Sequence, residues 1–287
     1  MAGHDSSGFE PLFNGVDLTG WFVAPRSYGE IWPGGPTLME AYPSFVSSDY
    51  NERAAEHPAR WTVEDGAIVG RQHPPGSGWG GYLVSEKKYG DFELILEANP
   101  DWPADTGIML RKRPHDFAGL QVLLDHRQSG SIGGFYGNGI SGFHAVPFAL
   151  DAVYDSAGRP VGLREEDPAT SIEPFSLAKR DMLTYACSIE EFLAAWRFLD
   201  WNEFRIRVVG EKPLVDVWIN GVKIASIDLA TLVFPNYDSN AVAALLGREG
   251  HLAFEVHDTD SLLKERRWGR DAACRWRNIR IKELRAR

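Results

Sequence analysis

Polar residues stand at alternate positions within five otherwise apolar runs of the chain. The runs are DFELILEANP (91–100), TGIMLRKRP (106–114), GLQVLLDHR (119–127), HLAFEVHD (251–258) and RWRNIRIKEL (275–284). Successive side chains of a β-strand point to opposite faces, so each run is predicted to be a strand with one apolar and one more polar face. Short alternating strands separated by turns, with few helical segments between them, predict an all-β fold of the antiparallel β-sandwich type.

The polar members of these strands could meet on one surface if the strands pair in a single sheet. They are Glu97, Arg111, Gln121, Asp125, His257 and Arg277. Such a surface would suit a polar, hydroxyl-rich ligand, because it combines charged groups with a neutral amide and an imidazole. Glu255 shares the face of His257 and is expected at the margin of the surface. The alternative is a solvent-facing sheet in which Glu97–Arg111 and Asp125–Arg277 are cross-strand ion pairs.

Turn and helix signals separate the strands. Asp65-Gly66 and Asn220-Gly221 each lie between two short strand patterns and favour the positive φ angles of tight hairpin turns. The stretch 25–58, rich in Pro, Gly and aromatic residues, has no clean period and is interpreted as a long ordered loop or a small subdomain. Residues 188–201 predict a helix that begins with a capping box formed by Ser188 and Glu191. The apolar stripe of this helix comprises Ile189, Phe192, Leu193, Trp196 and Leu199.

Charge and composition narrow the classes of function. The net charge is −10, from 30 basic and 40 acidic residues, which argues against a nucleic-acid-binding domain. The two cysteines allow neither a disulfide framework nor a cysteine-based zinc motif. No apolar run is long enough to span a membrane or has the form of a signal peptide, so the location is left open with a lean toward the cytoplasm. Among the plentiful aromatic residues, Tyr136 and Trp79 could stack on a sugar face, with ordinary packing as the alternative.

Ten segments of the chain, in order, resemble the 3-keto-disaccharide hydrolase family. They are FEPLFNGVDLTGW, WTVEDGAIVG, YGDFELILEA, TGIMLR, GLQVLLDHR, GGFYG, WNEFRIRVVG, VDVWINGVKIASI, GHLAFEVHD and RWRNIRIKEL. The resemblance runs from about Phe9 to Leu284 and implies a concanavalin-like jelly-roll sandwich. Residues 1–287 are therefore interpreted as a single domain. Residues 141–200 are longer than the family pattern, which makes them an insertion with a helix and a candidate lid or interface.

The chain departs from the family pattern at two places. Trp276 stands where the family has Phe in its final strand motif. Asp105-Thr106-Gly107 stands where the family has Asn-Ser-Gly, which puts any side-chain role carried over to those positions in doubt.

The resemblance implies action on glycosides whose sugar ring carries a ketone at C3. Such a ketone acidifies the C2 hydrogen, so a base can form an enolate that expels the oxygen at C1, and hydration of the enone then gives the 3-keto sugar. The reaction needs a base tuned toward neutral pH, a donor facing the enolate oxygen and an acid for the leaving group.

The predicted polar surface offers a candidate for each role. His257 is the first choice as base or acid, because an imidazole titrates near working pH. Glu97 or Asp125 would be its partner, and Arg111 and Arg277 would face the enolate or the sugar hydroxyls. Gln121 would bind hydroxyls, since its amide both donates and accepts. A divalent cation is a candidate ligand because carboxylates and histidine can bind one, although no ligand-spacing motif is present.

Two other functions are alternatives to an enzyme that cleaves 3-keto-glycosides. A non-catalytic carbohydrate-binding module would use the same fold and aromatic surface. A laminarinase-type endoglucanase would need paired carboxylates, usually in a Glu-x-Asp-x-x-Glu run, and the chain has no such run. The expected partner is thus an oxidised sugar or glycoside rather than a nucleic acid or a membrane, and a homodimer is left open.

Overall fold

The computed structural model describes residues 8–260 and 262–284, and its secondary structure is mostly strand. The strands are β1 (Glu10–Pro11), β2 (Trp21–Pro25), β3 (Arg60–Glu64), β4 (Ala67–Arg71), β5 (Gly81–Tyr89), β6 (Phe92–Pro100), β7 (Ala104–Lys112), β8 (Gly119–His126), β9 (Ile132–Asn138), β10 (His144–Ala145), β11 (Leu150–Tyr154), β12 (Pro160–Glu165), β13 (Tyr185–Ala186), β14 (Asn202–Val209), β15 (Leu214–Ile219), β16 (Val222–Asp228), β17 (Gly250–Val256) and β18 (Cys274–Glu283). The helices are α1 (Leu38–Ala41), α2 (Tyr50–Glu56), α3 (Leu177–Arg180), α4 (Ile189–Ala195) and α5 (Ser239–Leu246), with 3₁₀ turns at Pro168–Thr170 and Lys264–Arg266.

Two antiparallel sheets form the body of the molecule. The back sheet has the strand order β13-β16-β15-β14-β6-β18-β4-β3, with β1 paired to β18, and the front sheet has the order β10-β9-β8-β7-β17-β5-β2. Strands β11 and β12 form a separate two-stranded ribbon. This arrangement confirms the predicted antiparallel β-sandwich of the jelly-roll type.

The core lies between the two sheets and is built from the apolar faces of the alternating strands. Phe92, Leu94 and Leu96 of β6 are buried on the inner face of the back sheet, as their spacing predicts. Trp276 of β18 stacks on Phe254 of β17, with ring centroids 4.8 Å apart, so the two sheets are in direct contact across the core. The domain limits 1–287 remain a prediction, because residues 1–7, 261 and 285–287 lie outside the described part of the chain.

The two predicted hairpin turns are present. Asp65 and Gly66 have φ angles of 50° and 75° between β3 and β4, and Asn220 and Gly221 have φ angles of 48° and 84° between β15 and β16. Positive φ at both central residues matches the right-handed twist of the flanking strands. These turns therefore fix the register of both hairpins.

The predicted helix at 188–201 is shorter than its sequence pattern. The capping box of Ser188 and Glu191 is present, but α4 ends at Ala195. Asn202 accepts a hydrogen bond from the backbone N–H of Arg197 and donates one to its carbonyl oxygen, which turns the chain toward β14. Leu199 has a φ of 52° and is exposed, so its predicted place on the apolar stripe is wrong.

Two segments between the long strands matter for the site described below. Residues 25–58 carry α1 and α2, and residues 141–200 carry β10 to β13, α3 and α4. Within the described residues, no helix is both long enough and apolar enough to cross a membrane.

Candidate functional site

A cavity of about 230 Å³ opens on the outer face of the front sheet. We call it the front cleft, and it is lined by residues of β7, β8 and β9, by the chain after β17, and by side chains from residues 25–58 and 141–200. Cavities that hold drug-sized ligands measure roughly 300–1,000 Å³. The front cleft therefore has room for one sugar ring rather than for a whole disaccharide.

Four of the predicted site residues meet in the front cleft. Gln121 and Asp125 lie on the outer face of β8, Tyr136 lies on β9, and His257 follows the last residue of β17. Their apolar neighbours Leu120, Val122 and Leu124 of β8 are buried in the core. The alternation of β8 and β17 thus predicts this part of the cleft correctly.

Glu97 and Arg277 are elsewhere, so their predicted place on this surface is wrong. They face each other on β6 and β18 of the back sheet, and Arg277 Nε donates to Glu97 Oε2 at 2.6 Å. The Arg277 guanidinium also lies 4.0 Å from the centre of the Trp201 ring. The alternation assigns these residues correctly to a polar outer face. That face belongs to the sheet on the far side of the core.

Arg111 is also outside the cleft, contrary to the prediction. It has a φ of 51°, next to a bulge in the pairing of β7 with β17, and the bulge turns its side chain away from the outer face. The buried guanidinium donates to the carbonyl oxygens of Gly90, Gly210 and Gly247. Arg111 therefore ties together three loops at one end of the sandwich.

Trp79 does not line the cleft, and its faces are occupied by protein side chains. The His57 ring stacks on it at 5.9 Å, and the Arg53 guanidinium lies 4.9 Å from its centre. Tyr50 packs against it at 5.3 Å. The alternative of ordinary packing therefore describes Trp79 better than the predicted stacking on a sugar.

Two arginines and two carboxylates form a closed cluster at one end of the front cleft. Arg127 Nε donates to Asp105 Oδ2 at 2.6 Å, and Arg127 Nη2 donates to Glu173 Oε2 at 2.5 Å. Arg267 donates to the same two carboxylates, to Asp105 through Nη1 and to Glu173 through Nη2 at 3.4 Å. Arg127 and Asp105 are almost fully buried, so this pairing is shielded from solvent.

Asp105 and Asp125 are cross-strand neighbours whose environments push their pKa values apart. Burial raises the pKa of Asp125 well above its usual range, and the adjacent Asp105 carboxylate raises it further. Burial opposes ionisation of Asp105 as well, but the Arg127 and Arg267 guanidiniums hold the pKa of that carboxyl well below its usual range. A proton shared by the pair is therefore favoured on Asp125 and disfavoured on Asp105, the pattern expected of an acid beside a fixed anion.

His257 lies between two groups that set its tautomer. Its Nδ1 is 2.7 Å from the carbonyl oxygen of Asp258, which can only accept, so Nδ1 carries the proton. Its Nε2 is 3.1 Å from Arg26 Nη2, which can only donate, so Nε2 presents its lone pair. This is a neutral imidazole with its basic nitrogen turned toward a guanidinium.

A chain of hydrogen bonds continues from Arg26 across the floor of the cleft. Arg26 Nε donates to Glu255 Oε1 at 2.7 Å, and Gln121 Nε2 donates to Glu255 Oε2 at 2.6 Å. Asn138 Nδ2 donates to Gln121 Oε1 at 2.9 Å. Glu255, expected at the margin, is instead fully buried at the centre of this chain. A buried, satisfied network of this kind holds its members in one geometry.

The Asp-Thr-Gly sequence at 105–107 supports this network from β7. Thr106 Oγ1 donates to the carbonyl oxygen of Glu255. A Cβ at Gly107 would stand 2.3 Å from Gln121 Nε2, so only glycine leaves room for the amide. Asp105 belongs to the arginine cluster, so the departure from the Asn-Ser-Gly pattern of the family places a charge in the cleft.

Several residues of the cleft escaped sequence analysis for identifiable reasons. Asp105 continues the alternation of β7 one residue before the predicted run, and Arg127 is the last residue of the predicted β8 run, on the face of Gln121 and Asp125, so the alternation indicates both. Arg26, Glu173 and Arg267 come from irregular segments, where no period relates a residue to a face.

The described residues contain no cluster of three or more His, Cys, Asp or Glu arranged to hold a metal ion. The donor set of the cleft also disfavours a divalent cation, because Arg127 and Arg267 each pair with both Asp105 and Glu173. A second cation there would meet two guanidinium charges.

Comparison with solved structures finds sandwiches of similar size. They include a provisionally assigned glycosyl hydrolase from Parabacteroides distasonis, at 16% identity, with 97% of this chain and 94% of that one covered and a TM-score of 0.45. A carbohydrate-binding module from Bacillus subtilis is 11% identical, with coverages of 92% and 96% and a TM-score of 0.40. A legume lectin-like domain from Entamoeba histolytica is 11% identical, with coverages of 84% and 97% and a TM-score of 0.37. Likenesses this distant say nothing about what the chain binds.

No protein of curated function matches the chain. The family model described as a 3-keto-alpha-glucoside-1,2-lyase-like domain matches residues 8–282, which is nearly the whole sequence. This match confirms the resemblance seen in the ten ordered segments. The chain therefore belongs to the family of 3-keto-alpha-glucoside-1,2-lyase-like domains.

Proposed function

We propose that this protein cleaves glycosides whose sugar ring carries a ketone at C3, by elimination across C1 and C2 followed by addition of water. The observation that carries the proposal is the combination, in one cavity, of the His257 imidazole beside Arg26, the buried Asp125 carboxyl with its raised pKa, and three guanidiniums. These groups supply a base, an acid and cationic donors, which are the three elements that the reaction needs.

His257 is proposed to remove the C2 proton. Arg26 Nη2 donates to Nε2 of His257 in the free protein. A ketone oxygen at C3 would lie next to C2 and would take over this donor, which frees the Nε2 lone pair for the C2 hydrogen. As the C2–H bond breaks, its electron pair forms the enolate, and the charge on the C3 oxygen develops beside Arg26. Asp258 holds the imidazole through Nδ1 as the ring becomes cationic.

Asp125 is proposed to protonate the leaving group. The enolate re-forms the ketone and expels the C1 oxygen, which gives a C1–C2 double bond conjugated to the ketone. Asp125 gives its proton to the departing oxygen and becomes a carboxylate. Its burial beside Asp105 disfavours that anion, which makes the carboxyl a ready proton donor.

The same two residues would then complete hydrolysis. Water adds to C1 of the enone while the Asp125 carboxylate accepts its proton, and the His257 imidazolium returns a proton to C2. The products are the 3-keto sugar and the free aglycone, and both residues regain their starting protonation states. If release of the enone outruns addition of water, the same site acts as a lyase.

The test is incubation with 3-keto-trehalose, 3-keto-lactose and an aryl 3-keto-glucoside, with detection of the released aglycone. His257→Ala and Asp125→Asn should each lower kcat by at least about 100-fold, the usual contribution of a general acid or base. Glu97→Gln is the matched control, because Glu97 lies on the opposite sheet and should leave kcat unchanged. Binding of these compounds without any turnover by the wild-type protein would contradict the proposal and favour a carbohydrate-binding module.

A further inference from the structure

We propose, on the basis of the proposed function, that the front cleft accepts glycosides with an uncharged sugar ring and rejects uronides, and that Glu173 sets this selection. Glu173 comes from residues 141–200, outside the two sheets, and lines the cavity. The inference deepens the function by naming the class of sugar that the cleft takes.

The Glu173 carboxylate is held in place by bonds on both sides of it. The backbone N–H of Ile172 donates to Ser129 Oγ at 2.8 Å, and Lys179 Nζ donates to the carbonyl oxygen of Pro174 at 2.8 Å. Arg127 Nη2 fixes Glu173 Oε2 at 2.5 Å. Glu173 is therefore a fixed part of the cleft wall, and its charge is present before any ligand arrives.

The three guanidiniums of the cleft are already committed to carboxylates. Arg26 pairs with Glu255 and Asp258. Arg127 pairs with Asp105 and Glu173, and Arg267 pairs with both of these and with Asp260. Among the described residues of this network, five carboxylates thus face three guanidiniums. A uronate entering the cleft would meet surplus negative charge rather than an unpaired arginine.

A neutral sugar ring would find a suitable partner in the same carboxylate. Glu173 Oε1 has only the long 3.4 Å contact with Arg267, so it retains the capacity to accept a hydrogen bond from the C6 hydroxyl of a neutral hexose. The C6 carboxylate of a uronide, which replaces that hydroxymethyl group, has no proton to donate and carries charge of the same sign. One residue would therefore attract the neutral ring and repel the anionic one.

The experiment compares a 3-keto-glucoside with the 3-keto-glucuronide of the same aglycone, in wild type, Glu173→Gln and the control Glu190→Gln. Glu190 is an exposed residue of α4 in the same segment, outside the cleft. The wild type should prefer the glucoside in kcat/KM. Glu173→Gln should narrow this preference by about tenfold or more, because the amide keeps the size and loses the charge. Glu190→Gln should leave the preference unchanged.

Calorimetric binding of glucose and glucuronate to the same three proteins separates this inference from the reaction itself. If no 3-keto compound is cleaved, the proposed function fails. The preference for the neutral sugar is then measured as the ratio of the two dissociation constants, and this ratio should again be smaller in Glu173→Gln than in the wild type. Three results would overturn the inference. The wild-type protein could prefer the uronide, or Glu173→Gln could show the same preference as the wild type. The third is that neither sugar binds and no 3-keto compound is cleaved.

Discussion

At the residue scale, Asp105 and Asp125 are the same chemical group on neighbouring strands, yet their surroundings shift their pKa values in opposite directions. Arg127 and Arg267 both donate to Asp105, whereas Asp125 Oδ1 has no hydrogen-bond partner and Arg127 Nη2 stays 3.8 Å from its other oxygen. The difference follows from which carboxyl the guanidiniums reach, because burial penalises both anions. The division of roles between the two acids is therefore a property of their partners.

The raised pKa of Asp125 predicts a stability change in Asp125→Asn. A carboxyl whose pKa is higher in the folded than in the unfolded chain binds more protons when folded, so stability falls as pH rises through the window between the two values. Asparagine has no charge to bury, so the variant does not lose this stability as pH rises. The variant should have a Tm a few degrees above that of wild type at neutral pH, and the gain should disappear toward acid pH. Thermal melts across that range check this, and a gain that does not vary with pH would count against a protonated Asp125.

The opposite result is expected for Asp105→Asn. Its loss leaves Arg127 and Arg267 facing each other with Glu173 as their remaining shared carboxylate, and breaking a buried ion pair in this way costs about 3–5 kcal/mol. Denaturant unfolding gives the free energy of unfolding of both proteins. A loss of less than about 1 kcal/mol, typical of an exposed ion pair, would mean that the cluster is solvated.

At the scale of elements, the strands determine which side chains can meet, and their irregularities determine which do not. Period-two alternation places Gln121 and Asp125 on one face of β8. A bulge beside Arg111 breaks the same alternation on β7 and sends its guanidinium to the carbonyl oxygens of three loops. A strand pattern thus predicts faces reliably between bulges and loses its meaning beyond them.

The close packing of β7 on β8 gives a prediction for Gly107→Ala. The added Cβ would collide with the Gln121 amide and displace it from Glu255, which loosens the floor of the cleft. We expect kcat/KM to fall by about tenfold or more, since a shift of about 1 Å in a supporting group is costly. Gly162→Ala is the control, because its Cβ would meet nothing within 4 Å. Equal kinetics in the two variants would show that Gln121 does not need its present position.

At the scale of the whole molecule, the outer faces of the two sheets carry different features. The outer face of the back sheet carries ion pairs such as Glu97–Arg277, and the outer face of the front sheet carries the cleft. Residues 25–58 and 141–200 supply the walls that turn a flat sheet into a cavity, through Arg26 and Glu173 among others. The inserted segment, predicted as a lid or interface, contributes at least one wall of the cleft.

The sequence predicts the sandwich, its two hairpin turns and the residues on the outer face of β8. It was not sufficient to show that β6 and β18 lie across the core from β8 and β17, because alternation contains no information on which strands pair. Glu97 and Arg277 therefore share with His257 a polar position in the alternation, but not a sheet. Arg26 and Glu173 reach the site from irregular segments, so only the folded chain brings them to the cleft.

The most direct test of the account is to cleave an aryl 3-keto-glucoside in D₂O and to measure the deuterium content of the 3-keto sugar product by mass spectrometry. Removal of the C2 proton by His257 predicts product with deuterium at C2, and loss of both the label and the aglycone release in His257→Ala. Product incubated in D₂O without enzyme corrects for spontaneous exchange. Aglycone release with hydrogen fully retained at C2, and with no slower release from the C2-deuterated substrate, would contradict the mechanism, because the glycosidic bond would then break without cleavage of the C2–H bond.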